Sequence, residues 1–252
     1  MAIIALKAWY LDKYEPIREV VKRPHDLRLS RNSLLKSGLR ADFLDDSLDI
    51  QGSFWFQRYL EGDTVEFYIE GSGGYAISNI DLLSHEIYFT KRDINAWLDP
   101  IIYLSYQTRF ADASDALRAV LLEAIETFNR RSRLPLILEE TPRAEGNPTR
   151  LSDSQFRKIR KSLLFIADTT AISQVESEIL LDPLVCVELG YAIECKRSGQ
   201  ILLASLDRPE LKGKVPFDVP QHQQFSFTDP AGLRRTFPPL LESLLQKFNL
   251  TP

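Results

Sequence analysis

Cysteine is almost absent from this 252-residue chain: Cys186 and Cys195 are the only two. Both fall in one predicted helix, nine positions apart. At a rise of about 1.5 Å per residue they stand about 13 Å apart, too far for a disulfide. A disulfide framework is excluded, and a reducing, cytoplasmic setting is the expectation. His25, His85 and His222 are scattered, and no Cys or His pair has the spacing of metal ligands. No apolar run is long enough to span a bilayer. The opening MAIIALKAWY is apolar, but it is short, lacks a small-residue cleavage site and runs at once into charge. Internal repeats and low-complexity tracts are lacking too. The net charge of −4 gives no support to a general nucleic-acid binder. What is there is a 44% hydrophobic chain, enough to build one large domain or two small ones.

The charge is unevenly spread. Residues 1–40 hold nine Lys/Arg against four Asp/Glu, a net of +5, and residues 41–99 hold three against twelve, a net of −9. Either the two stretches pair within one N-terminal domain, or Lys22, Arg23, Arg28, Arg31, Lys36 and Arg40 receive an anionic ligand or nucleic acid. No aromatic interleaves that basic run, which argues against single-strand binding.

Residues 1–98 read as a smaller α+β domain. LKAWYLDKYEPIREVV is a strand giving way to a helix at Pro16, and SRNSLLKSGLRADFLDD has helix-like spacing at Leu34, Leu35 and Leu39. TVEFYIEGS and GYAISNIDLLSHEIYFT read as strands, with Gly71, Ser72, Gly73 and Gly74 suited to a hairpin between them.

Asp99-Pro100 marks the boundary, because proline turns its predecessor away from helix. From residue 99 to 252 strands and helices alternate. Strands are predicted at 101–106, 134–138, 163–167, 201–205 and 224–227. Helices are predicted at 114–128, with Ser114 as N-cap, at 152–161, after Asp182-Pro183, and at 233–248, where Pro238-Pro239 interrupts the start. Short apolar strands alternating with helices imply a parallel sheet covered on both faces. The expected fold is α/β: a flavodoxin-like five-stranded parallel sheet with helices on both sides.

Two carboxylates stand out. Asp168 closes the apolar strand SLLFIAD, and Glu188 lies in the second turn of the helix that follows. Acidic groups at the carboxyl edge of a parallel sheet are placed to act on a sugar or nucleotide. The plainer alternatives are that Asp168 caps its loop through backbone N–H groups, and that Glu188 is an exposed helix residue.

Several motifs occur in a telling order: YLSY at 103–106, ADTT at 167–170, VELGYA at 187–192 and VPFDV at 215–219. With them, residues 101–252 resemble the bacterial branch of the TIR-like and nucleoside deoxyribosyltransferase-like superfamily. The resemblance implies that Glu188 is the catalytic glutamate of an enzyme cleaving or exchanging an N-glycosidic bond. It implies NAD or a related nucleotide as substrate rather than as cofactor, no other cofactor, and a setting in bacterial defence or cell suicide. Cleaving that bond builds positive charge on the anomeric carbon, which a carboxylate can stabilise or trap as an ester. On that reading Asp168 orients ribose hydroxyls or the base. Ser105 bonds a phosphate or ribose, Arg109 pairs with a pyrophosphate, and Tyr106 and Tyr191 line the base pocket. Packing tyrosines and a solvated arginine are the alternatives. Residues 1–98 then regulate, by sensing a ligand or by self-association. Two other readings stay open, a non-catalytic adaptor and a nucleotide sensor. The acidic, glycine-free segment AISQVESEILLD motivates the adaptor.

Overall fold

The computed structural model describes residues 5–35, 38–144, 150–211, 213 and 223–251. The chain divides into two compact units, Met1–Trp97 and Leu98–Pro252.

The first unit is a closed barrel. Its elements are β1 (Ala5–Tyr10), α1 (Ile17–Val20), β2 (Leu27–Leu35), β3 (Gly38–Phe43), α2 (Ser47–Gly52), α3 (Phe54–Leu60), β4 (Glu66–Ile69), β5 (Gly73–Asp81) and β6 (Glu86–Lys91). The strands close antiparallel in the order β1-β2-β3-β6-β5-β4. Closure removes the unpaired edges that an open sheet would expose. Asp46 caps α2 and Ser53 caps α3, which delivers Trp55 and Phe56 into the barrel core beside Phe67.

Two sequence expectations change here. The helix expected over residues 30–46 is the β2–β3 hairpin. In β3 Leu39, Ala41 and Phe43 are buried while Arg40 is exposed, a period of two that the closely spaced leucines obscured. The single strand expected from GYAISNIDLLSHEIYFT is two, β5 and β6, joined by a turn in which His85 takes φ 57°. Between β4 and β5, Gly71 (φ 69°) and Gly73 (φ 119°) take backbone conformations that suit glycine.

Two ion pairs join the basic and acidic stretches: Arg28 meets Asp45 at 2.8 Å, and Arg40 pairs with Glu86. Lys22 and Arg23 instead meet Glu19 (2.7 Å) and Glu15 (3.7 Å) within the basic stretch. The side chains of Arg31 and Lys36 lie outside the described residues.

The second unit contains β7 (Asp99–Ser105), α4 (Ala111–Asn129), β8 (Ile137–Glu139), α5 (Asp153–Lys161), β9 (Ser162–Asp168), β10 (Ser173–Val175), β11 (Glu178–Leu180), α6 (Pro183–Cys195), β12 (Ile201–Leu206), β13 (Gln224–Phe227) and α7 (Pro230–Leu245). Its five-stranded sheet runs β8-β7-β9-β12-β13, every pair parallel. This is the flavodoxin-like order, and it reverses direction between β7 and β9, where such folds place their ligands. All seven residues of β9 are buried, as a central strand covered on both faces requires. One face carries Tyr103, Phe165, Ala167 and Leu203 against α5 and α6. The other face lies under α4, whose stripe of Leu117, Val120, Leu121 and Ile125 is buried.

Two local expectations are corrected, and one segment without a sequence expectation gains a structure. Ser114 is not an N-cap: α4 starts at Ala111, and Ser114 is buried inside its first turns. Pro238 and Pro239 do not interrupt α7, which runs from Pro230 to Leu245. Its buried Leu233, Phe237, Leu241 and Leu245 repeat every four residues, and that packing offsets the backbone bonds proline removes. The acidic segment after Asp168 contains the β10–β11 hairpin, turned at Glu176 (φ 53°).

One feature of this unit makes its stability depend on pH. Lys196 follows α6 with its ammonium buried, donating to Ser162 O at 2.6 Å. Burial pulls its pKa down to about 8, against an opposing pull from Cys195. The unfolded chain therefore binds more protons between about pH 8 and 10.4, and this group's contribution rises with pH across that window. Lys196→Met is expected to stabilise the unit at pH 7 by up to about 3 kcal/mol, with the advantage gone near pH 10.5. Denaturation curves of both proteins at the two pH values check it, and equal stability at pH 7 contradicts it.

Candidate functional site

Period two along β7 puts Tyr103 and Ser105 on the same face, and both point to α6. Asp182 caps that helix, accepting from the backbone N–H groups of Leu184 (2.9 Å) and Val185 (3.3 Å), and Pro183 sets its first turn. One and a half turns on, Glu188 faces inward among Val185, Leu189 and Ala192, and it is fully buried. It is not the exposed helix residue of the plain alternative.

Five donors converge on its carboxylate. Arg143 forks onto it, Nη1 to Oε1 at 2.7 Å and Nη2 to Oε2 at 2.9 Å. Tyr103, its hydroxyl 2.7 Å from Thr141 Oγ1, donates to Oε1 at 3.2 Å. Ser105 Oγ donates to Oε2, and Gln155 Nε2 donates to Oε1. An ionised carboxylate offers about four lone-pair positions, so the group is saturated as an acceptor. Burial and the Glu188 charge push the Tyr103 phenol well above its ordinary pKa, so Tyr103 serves as a donor and not as a base. Burial works against the Arg143 charge, but the hydrogen bonds and charge of Glu188 outweigh it, and the guanidinium pKa is raised.

Arg143 is held from behind by Tyr106. The Tyr106 carbonyl accepts from Arg143 Nε (3.1 Å) and Nη2 (2.8 Å), and its hydroxyl accepts from the Arg143 backbone N–H (3.0 Å). The Tyr106 ring lies 4.9 Å from the Arg143 guanidinium and 4.8 Å from that of Arg118. Among the described residues one buried side-chain polar atom has no hydrogen-bond partner, and it is here: Gln155 Oε1.

Asp168 is not joined to this cluster. As the residue after Ala167 it faces the opposite side of the sheet, toward α4. There it is fully buried, accepting from Ser114 Oγ at 2.5 Å and from the Thr170 N–H at 2.9 Å. Ser114 Oγ also accepts from the Gln107 N–H at 3.0 Å, and Gln107 Nε2 donates to Thr170 O at 3.0 Å. This is loop capping elaborated into a buried network.

Burial raises the Asp168 pKa, and the bonds from Ser114 and Thr170 pull it partly back. A raised folded pKa for an acid contributes stability below the unfolded pKa that is lost as pH rises through the folded one. The stability of wild type relative to Asp168→Asn is therefore expected to be greatest near pH 4 and to shrink toward pH 7. Urea denaturation across that range checks it, and a difference that grows with pH contradicts it.

The remaining predicted residues divide. Ser105 and Tyr106 belong to the cluster, but both serve Glu188 and Arg143. Arg109 is exposed, its Nε 3.5 Å from Asp182 Oδ2. Tyr191 is half-buried against Phe156, ring centroids 4.6 Å apart. The VPFDV segment at 215–219 lies outside the described residues. Cys186 and Cys195 are both free. Among the described residues no group of acidic, His or Cys side chains could hold a metal ion, and no helix is long and apolar enough to cross a membrane. A cavity of about 160 Å³ lies beside β12 and β13, lined in part by Thr169, Ser205, Arg208 and Ser226. None of the six predicted residues lines it.

Arg143, Gln155 and Tyr103 are the members of the Glu188 cluster that sequence reasoning missed, and Ser114 and Gln107 are those of the Asp168 network. Gln155 and Tyr103 left a trace. Gln155 stands one helical turn before the buried Ile159, and Tyr103 is one strand period before Ser105. Arg143 sits in an irregular polar segment with no periodicity to read.

Comparison with protein families, with curated proteins and with solved structures finds no match for this chain.

Proposed function

We propose that the second unit cleaves or exchanges an N-glycosidic bond of a nucleotide, NAD foremost, with Glu188 as the carboxylate that meets the anomeric carbon. The observation that carries this reading is the placement of Glu188. It sits at the β7/β9 reversal of a flavodoxin-like sheet, ringed by the Ser105 and Tyr103 hydroxyls and the Gln155 amide.

The chemistry asks little of the rest of the site. As the C1′–N bond of the nicotinamide riboside lengthens, its electron pair leaves with the ring, and cationic nicotinamidium departs as neutral nicotinamide. Glu188 stabilises the positive charge left on the ribose or bonds to it. Water then supplies the hydroxyl, giving ADP-ribose, nicotinamide and a proton. A neutral alcohol or base in place of water gives exchange. The leaving group needs no acid, which agrees with a site whose Tyr103 is held as a phenol. The position taken by the Arg143 guanidinium also suits a cation, and the unpartnered Gln155 Oε1 suits a ribose hydroxyl.

A non-catalytic, adaptor-like reading has one observation in its favour: Glu188 is wholly buried and fully paired. The barrel unit is assigned a regulatory role. Sensing of a ligand or self-association is the form proposed for that role.

The test is product analysis of the purified protein at high concentration, with NAD and with neutral deoxynucleosides offered separately. Nicotinamide and ADP-ribose in equal amounts support the reading. Folded protein that releases no base from either class contradicts it.

A further inference from the structure

We infer that Arg143 is a displaceable occupant of the Glu188 site, an internal counter-ion that closes the carboxylate off until a ligand takes its place. The inference rests on the proposed function for what enters, and on the geometry alone for what must leave.

The members of the cluster are not equivalent. Tyr103 and Ser105 belong to β7, Gln155 to α5 and Glu188 to α6, all fixed by regular backbone bonding. Arg143 comes from residues 141–144, which carry no helix or strand. Its side chain also keeps 5% of its surface exposed while that of Glu188 keeps none. Two of its N–H groups occupy both carboxylate oxygens, which is the coverage a substrate cation and hydroxyls would have to replace.

The closed arrangement is imperfect in one respect. Gln155 turns its amide N–H to Glu188 and leaves Oε1 buried without a partner. A carboxylate cannot donate, and the Arg143 N–H groups that reach this cluster are spent on Glu188 and on the Tyr106 carbonyl. A purely structural salt bridge would gain nothing from that orphan acceptor, which costs stability. A ligand O–H or N–H arriving beside Glu188 would satisfy it. The polar groups around Glu188 are therefore not fully matched by Arg143.

The consequence is quantitative. A ligand must compete with a desolvated, bidentate ion pair, and its apparent affinity falls by the fraction of molecules in which Arg143 has left. Weakening the pair should raise access to Glu188 directly. Arg143→Lys keeps the charge but loses the fork, and Arg143→Ala removes both.

The test is labelling of Glu188 with a water-soluble carbodiimide and an amine, read by peptide mass, on wild type and both variants. Circular dichroism confirms folding. Glu188 is expected to label at least about tenfold faster in Arg143→Lys than in wild type, and faster still in Arg143→Ala. If Arg143→Ala does not fold, Arg143→Lys carries the test. Equal, slow labelling in folded variants overturns the inference. NAD turnover measured on the same samples separates the two ideas. Faster labelling with Glu188-dependent cleavage raised in Arg143→Lys supports both. Faster labelling with no cleavage by any variant leaves Arg143 as occupant and removes the N-glycosidase reading. Cleavage by wild type that Arg143→Lys abolishes, with labelling unchanged, makes Arg143 part of the working site and overturns the inference.

Discussion

Removing one partner of the Arg143–Glu188 pair is expected to cost the second unit about 3–5 kcal/mol, and removing both together much less. The asymmetry follows from desolvation. Glu188 is wholly buried and Arg143 nearly so, and their mutual contacts at 2.7 and 2.9 Å are what offsets the loss of water around each charge. Glu188→Gln leaves a buried guanidinium facing a neutral amide, and Arg143→Met leaves a buried carboxylate with three neutral donors. Either single change strands a charge. The double variant strands none, and its cost should fall well below the sum, with a coupling of about 1–3 kcal/mol or more in a double-mutant cycle.

The protein supplies its own control for that measurement. Trp9, Trp55 and Trp97 all lie in the first unit. Tryptophan fluorescence therefore follows the barrel. Far-UV circular dichroism registers both units, and the part of its transition that belongs to the second should shift. Additive single-variant costs would show that the pair is not coupled and would remove its place in the account.

The parts of this fold that were legible in the sequence are those governed by local pattern. The βα alternation from Asp99 onward, the Asp182-Pro183 helix start and the uniformly apolar SLLFIAD strand each express one local rule, and together they specify the flavodoxin-like order. The barrel was not legible. Its closure depends on pairings such as β3 with β6 and β1 with β4, which no local periodicity encodes. Residues 30–46 show the failure at small scale, since leucines at 34, 35 and 39 suit a helix stripe as well as a hairpin. Proline chemistry misled at α7, where tertiary packing overrides it.

The candidate site divides along the same line. Glu188 and Ser105 could be placed from motif and period, because each sits on a regular element. Asp168 could be placed at its strand end, but which face it served depended on a parity that only register fixes. It faces Ser114, while Glu188 lies across the sheet. Arg143 could not be found at all: an arginine in an irregular segment acquires meaning from where the chain brings it, and nothing in TPRAEGNP announces that.

The largest functional effect expected is at Glu188 itself. If its carboxylate meets the developing ribose cation, Glu188→Gln removes a full charge from a site shielded from water, where charge is worth most. A loss of at least about a hundredfold in turnover, or about 2.7 kcal/mol of transition-state stabilisation, is the minimum such a role implies. Asp168→Asn, on the other face of the sheet, should change turnover far less.

The measurement that bears most directly on the account is the rate of nicotinamide release from NAD by wild type, Arg143→Lys and Glu188→Gln, each shown to be folded at the assay temperature. Nicotinamide release is expected, and Glu188→Gln is expected to lower it by at least about a hundredfold. Equal rates with and without the carboxylate, or no release by either wild type or Arg143→Lys, would contradict it.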